Sequence, residues 1–223
     1  MSFDLATWEK AYKAAVSSAF GERIVCAGLQ GSRARNEARP DSDIDAVLVL
    51  DRLTANDLSV CRKLFRSLPC GELLCGFVSG KEELSHWDEG ELVSFYFDTR
   101  PLIGDLSFIR PSITPDAAKR AVHTGACGIY HACCHGLIFG DDTMCPQGLY
   151  KAAFFVLRVK YFLQSGAFVT RSADLLPLLE ADDREILRSY MESTSEKAGR
   201  PALLREIDVL LAWSSNLVTA FRA

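Results

Sequence analysis

The chain has 223 residues, 48% of them hydrophobic and 24% charged, with a formal net charge of −4. That length suits one large domain or two small ones, and the balance is ordinary for a globular protein. The acidic charge disfavours a broad basic nucleic-acid footprint, no apolar run reaches the length of a membrane span, and Met1-Ser2-Phe3-Asp4 lacks the charged and apolar regions of a signal peptide. The eight cysteines are scattered through periodic segments and read as reduced thiols used as small hydrophobes, so the expected compartment is the cytoplasm.

In chain order, residues 4–20 predict an amphipathic helix, with Leu5, Trp8, Tyr12, Ala15 and Phe20 at helical spacing. An apolar strand, Arg23 to Leu29, runs into a Gly31-Ser32 turn, and a second, Ile44 to Leu50, follows Pro40-Asp41-Ser42-Asp43. Thr54 caps a helix to Leu68 that turns Leu58, Cys61, Leu64, Phe65 and Leu68 inward and stops at Pro69-Cys70-Gly71. Glu72 to Val78 reads as a third strand and Glu91 to Phe97 as a fourth; Lys81 to Gly90 between them is polar, with a helical turn or loop. Asp98 to Gly104 forms a hairpin or extends the sheet.

After Pro111 the pattern is helical. Thr114 caps a helix to about Phe139, with Pro115 in its first turn and Asp116 suiting the dipole there. A loop at Gly140-Asp141-Asp142 follows, then helices over Pro146–Gln164, Ser172–Leu179, Asp182–Lys197 and Pro201–Phe221. The aromatics between Tyr150 and Phe162 read as core, and Lys151, Arg158 and Lys160 as solvating the same helix. The expected fold is α+β: an N-terminal domain over 1–112 with a mixed sheet of four to five strands, and an antiparallel helical bundle over 113–223.

The chemistry is concentrated in Gly31 to Asp45. Strand side chains alternate, so Asp43 and Asp45 point the same way, roughly 6.6 Å apart along the strand, while Ile44 points into a core. Parallel carboxylates repel and are hard to desolvate without a cation between them. Magnesium takes one or two carboxylates and completes its shell with phosphate oxygens and water. Gly31 lets the backbone approach an anion closely, Ser32 offers a hydroxyl and an N–H, and Arg33, Arg35 and Arg39 supply charge that suits phosphate oxygens. No Gly-Lys-Ser/Thr follows, so this is not a P-loop.

The pattern Gly-Ser-x-Ala-Arg, a short gap and Ser-Asp-x-Asp, carried by Gly31, Ser32, Ala34, Arg35, Ser42, Asp43 and Asp45, resembles the signature of DNA polymerase beta-type nucleotidyltransferases. The likeness is to the minimal and the antibiotic nucleotidyltransferases. One departure is Asn36, where the family has a second glycine; asparagine also visits left-handed backbone. The resemblance implies that Gly31, Ser32, Arg33, Arg35 and Ser42 bind a nucleoside triphosphate donor and that Asp43 and Asp45 hold two Mg2+ ions. It further implies that residues 1–112 form the catalytic domain and 113–223 bind an acceptor. The acceptor expected is a small molecule, aminoglycoside- or lincosamide-like or a metabolite; AMP transfer to a protein and a non-catalytic binding module are the alternatives.

Chemistry of this type generally uses a third carboxylate beside the acceptor. Two candidates stand open. Glu72 starts the expected third strand; Asp98 ends the expected fourth, sharing a face there with Tyr96. A second cluster also stays open. His123, Cys127, His131 and Cys134 fall at steps of four, four and three on one helix stripe, flanked by Cys133 and His135. Gly125, Gly128 and Ala132 interleave with them and favour helix packing, against a pocket wall or a zinc site.

Overall fold

The computed structural model describes residues 4–40, 42–140, 145–193 and 200–221. Asp41, the Asp141-Asp142 loop and the Lys197 end of an expected helix lie outside them. Two compact units emerge: Met1–Asp88 with Phe95–Ser112, and Glu89–Ser94 with Ile113–Ala223.

In the first unit, helix α1 (Leu5–Phe20) starts where the Asp4 carboxylate accepts from the Thr7 N–H at 3.0 Å. Strand β1 (Ile24–Leu29) leads through a short helix α2 (Gly31–Ala34) to β2 (Ile44–Leu50). Helix α3 (Ala55–Ser67) opens with a reciprocal capping box between Thr54 and Asp57. Strand β3 (Leu74–Gly80), helix α4 (Lys81–Ser85), the end of α5 (Glu89–Asp98) from Phe95 onward and strand β4 (Arg100–Gly104) complete it. Among the described residues the sheet has four strands in the order β3-β2-β1-β4; β1 is antiparallel to β2 and β4, and β2 is parallel to β3. The sheet is therefore mixed, as the sequence predicts.

One sheet face is closed by apolar packing. Ile44, Ala46, Leu48 and Leu50 share a buried cluster with Trp8, Tyr12, Val16 and Phe20 of α1 and Cys61 of α3. Each such side chain contributes about 1.5–3 kcal/mol when removed from water. Two buried polar tips find partners in the backbone: Trp8 Nε1 donates to the Pro69 carbonyl at 2.9 Å and Tyr12 Oη to the Val47 carbonyl at 2.8 Å. The Arg23 guanidinium ties the start of β1 to α3 through Asp57 (2.8 Å) and Asp51 (3.1 Å). That pairing, with the Thr54 hydrogen bonds, holds the Asp57 carboxyl well below the usual range.

Two expectations are corrected here. Glu91–Phe97 is helix, inside α5, not a fourth strand. Glu89 and Glu91 suit a helix N-terminus, and Thr99 Oγ1 donates back to the Phe95 carbonyl at 2.6 Å just past its end. The fourth strand is instead β4, within the expected Asp98–Gly104 segment. Glu72 likewise lies before β3, in a 3-10 turn over Gly71–Leu73.

In the second unit α6 (Pro115–Phe139) begins at Thr114, whose hydroxyl accepts from the Ala117 N–H at 3.1 Å, with Pro115 and Asp116 in its first turn. It packs on α7 (Gln147–Ser165) and, near the chain end, on a helix over Arg200–Ala220. Between them lie α8 (Ser172–Leu175) and α9 (Ala181–Glu192), so the last helix is α10. Gly125 marks the close approach: a Cβ there would stand 2.5 Å from Val156 Cγ2 of α7. Arg158 does not solvate α7. It is fully buried, its guanidinium 4.7–5.4 Å from the ring centres of Phe154, Phe155 and Phe168, because a flat, weakly hydrated cation stacks on aromatic faces. Lys160 pairs with Asp183, which also accepts from Trp213 Nε1 at 2.9 Å.

Candidate active site

The motif sits on the sheet face opposite the α1–α3 core. Ile44 is fully buried in that core, so by alternation Asp45, next to it in β2, faces the other way. Asp43, one residue before β2, is exposed; Asp45, inside β2, is half-buried.

Gly31 explains how Asp45 is seated. Its φ is +70°, and a Cβ there would fall 1.8 Å from Asp45 Oδ2. The carboxylate therefore occupies the space a side chain would fill, lying against the bare backbone of the turn. The Gln30 N–H donates to the Asp45 carbonyl at 2.8 Å, and Gln30 Nε2 reaches Thr99 Oγ1 at 2.7 Å, which anchors the turn to the segment after α5. Downstream the turn closes on itself. The Glu37 N–H donates to the Ser32 carbonyl at 2.8 Å, and Asn36 adopts φ +60°, the left-handed backbone expected where the family has glycine.

The arginines divide. Arg33 is 6% exposed; its guanidinium donates to the carbonyls of Ser42 (2.5 and 3.2 Å) and Asp43 (3.0 Å). Arg35 is 7% exposed and pairs with Glu37 at 3.0 Å and Asp98 at 3.9 Å. Arg39 is exposed, and its N–H donates to Ser42 Oγ at 2.9 Å.

Neither candidate third carboxylate joins the pair in one cluster. Glu72 is exposed on the turn before β3, and Asp98 faces Arg35 from the end of α5. Among the described residues, no three His, Cys, Asp or Glu side chains form a group that could hold a metal ion. The strand-face argument that paired Asp98 with Tyr96 lapses with α5 being a helix. A neighbour that the sequence reading overlooks is Cys75: the parallel register sets it directly beside Asp45, and it is exposed. Only the register reveals it, since pairing of β2 with β3 is not written in local spacing.

The His/Cys stripe of α6 lies beside its buried stripe, which is Val122, Ala126, Ile129 and Cys133. His123, Cys127 and Cys134 are half-buried, while His131 and His135 are exposed with ring centres 5.8 Å apart. His123 Nε2 lies 3.8 Å from Cys127 Sγ.

A two-carboxylate platform beside an open glycine turn fits magnesium, a hard cation satisfied by one or two carboxylates with phosphate and water oxygens. Comparison with known proteins bears on the domain and the fold. Residues 5–94 match the family model described as the nucleotidyltransferase domain. A search of curated protein sequences finds no significant match. Among solved structures, a spectinomycin adenyltransferase from Enterococcus faecialis, determined with ATP and spectinomycin, superposes with a TM-score of 0.60 at 12% identity, over 95% of this chain and all of that one. At that identity the likeness is one of fold. Residues 5–94 thus match a nucleotidyltransferase domain, and the fold is a mixed-sheet domain followed by a helical region.

Proposed function

We propose, from that domain match and the geometry of the turn, that the protein is a transferase of phosphorus-containing groups that moves a nucleoside monophosphate, AMP in the first instance, from a magnesium-bound triphosphate to a hydroxyl of a small molecule, releasing pyrophosphate. The observation that carries this reading is the Asp45 carboxylate lodged against Gly31, with the exposed Asp43 two residues before it. Asp43 and Asp45 would hold magnesium, which when bound offsets phosphate charge and favours in-line attack at the α-phosphorus. Gly31 and Ser32 present open backbone and a hydroxyl to the phosphates, and the exposed Arg39 adds positive charge at the rim. Arg33 and Arg35, engaged with the loop, keep that frame fixed, so that acceleration comes from positioning and charge stabilisation. Acceptor recognition is assigned to the helical region. The acceptor class is a hydroxylated antibiotic of aminoglycoside, lincosamide or spectinomycin type, which the fold likeness to a spectinomycin adenyltransferase supports.

The test is incubation with α-labelled ATP, magnesium and a panel of such acceptors. Transfer of label with stoichiometric pyrophosphate, abolished by Asp43→Asn, is the expected result. Label on protein alone points to a protein acceptor, and tight nucleotide binding with no pyrophosphate across the panel contradicts the enzymatic reading.

A further inference from the structure

The two carboxylates are held by different means. Asp45 lies within β2, its carbonyl bonded to the Gln30 N–H and its strand flanked by β1 and β3. Asp43 has no such support. The antiparallel ladder with β1 starts at Ala46, the parallel ladder with β3 starts at Ile44, and Asp43 precedes both. Its main chain extends past the sheet, where strand pairing no longer fixes it.

One side chain takes the place of the missing strand. Arg33 reaches from α2 across nine residues of sequence to the Ser42 carbonyl and ten to that of Asp43, with Nη2–O 2.5 Å, and Nε–O 3.2 and 3.0 Å. A planar fork of donors can clamp two consecutive carbonyls; a single ammonium cannot do so with the same geometry. Arg33 is 6% exposed, so the donor end of the clamp is largely shielded from competing water, which stiffens it. Arg33 therefore engages the main chain that carries Asp43.

We propose that Arg33 is a positioning residue: it fixes Asp43 before metal arrives and so sets the affinity of the metal platform. This rests on the reading above that Asp43 and Asp45 hold a divalent cation. Loss of groups that orient metal ligands typically costs 10–100-fold in metal affinity. Arg33→Lys, which keeps the charge but loses the fork, and Arg33→Met, which keeps the length alone, should each weaken Mn2+ binding about tenfold. Free Mn2+ would be followed by electron paramagnetic resonance at a fixed ATP concentration, and the affinity for metal-free ATP should stay within about twofold. Wild-type protein that takes up no Mn2+ with ATP overturns the functional reading itself. Variants that bind Mn2+ as wild type does overturn the present inference alone, as do variants that lose affinity for metal-free ATP instead, which makes Arg33 a phosphate ligand. A measurement on wild type guards against variants that fail to fold. Amide exchange of residues 42–45 should be the same with and without Mn2+ and ATP, and protection acquired only with them overturns the clamp.

Discussion

Replacing Gly31 by alanine separates the seat of Asp45 from general stability. Two costs are expected. The backbone stands at φ +70°, where an L side chain costs roughly 1–2 kcal/mol, and for a chain of this length each kcal/mol lowers Tm by about 2–4 °C. The new methyl also collides with Asp45 Oδ2 at 1.8 Å. The carboxylate is the far end of a short side chain, so it can rotate away at little further cost to folding, but it must retreat by about 1 Å or more, a displacement worth about 100-fold in rate at a reacting centre. Gly166 is the matched control, with φ +75° at the end of α7 and nothing within 4 Å of an added Cβ. Gly31→Ala and Gly166→Ala should therefore lower Tm comparably, by about 2–8 °C, while only Gly31→Ala lowers kcat about 100-fold in a coupled pyrophosphate assay. Equal turnover in the two variants would refute the claim that Gly31 exists to seat Asp45.

Other outcomes follow from the same geometry. Asp43→Asn should abolish label transfer with Tm unchanged within about 2 °C, because its side chain is exposed and surface changes cost under about 0.5 kcal/mol; circular dichroism melts and radiolabel counting check both. Glu72→Ala, also exposed, should keep turnover within about twofold of wild type. Asp98→Ala strips a partner from the buried Arg35, and should lower Tm by several degrees, since leaving a buried charge short of its partner costs on the order of 3 kcal/mol. Asp57 gives a pH test. Its folded pKa is depressed by Arg23 and Thr54, so its contribution is complete above the unfolded carboxylate value near about 4 and fades as pH falls below it. The Tm gap between wild type and Asp57→Asn should be constant from pH 5 upward and shrink steadily in more acid buffer.

Sequence and structure agree where a local signal suffices. The boundaries of α1, α3 and α6 follow from Asp4, Thr54 and Thr114, each a side-chain cap whose preference acts within three residues. The side of the sheet that Asp45 takes, opposite the buried Ile44, follows from strand alternation, and Asn36 at φ +60° from the family pattern it interrupts. Illegible features depend on distant partners. Glu91-Leu-Val-Ser-Phe-Tyr-Phe has strand-like composition, and a short apolar run does not distinguish strand from helix; packing made it α5. Arg33 reads as a phosphate ligand because its distance from a triphosphate motif is visible, while its use as a clamp on the Ser42 and Asp43 carbonyls depends on how the intervening loop folds. Arg158 looks like a solvating charge until Phe155 and Phe168 close over it. Cys75 gains meaning only from the register of β2 on β3.

The pairing of Asp43 with Asp45 as a metal platform bears the whole account. Crystals grown with Mn2+ and a non-hydrolysable ATP analogue, measured at the manganese absorption edge, test it most directly. Anomalous peaks in contact with both carboxylates, with the phosphate chain running over Gly31 and Ser32, are the expected result. Manganese bound elsewhere, or a triphosphate held away from the glycine turn while both aspartates stay hydrated, would contradict it.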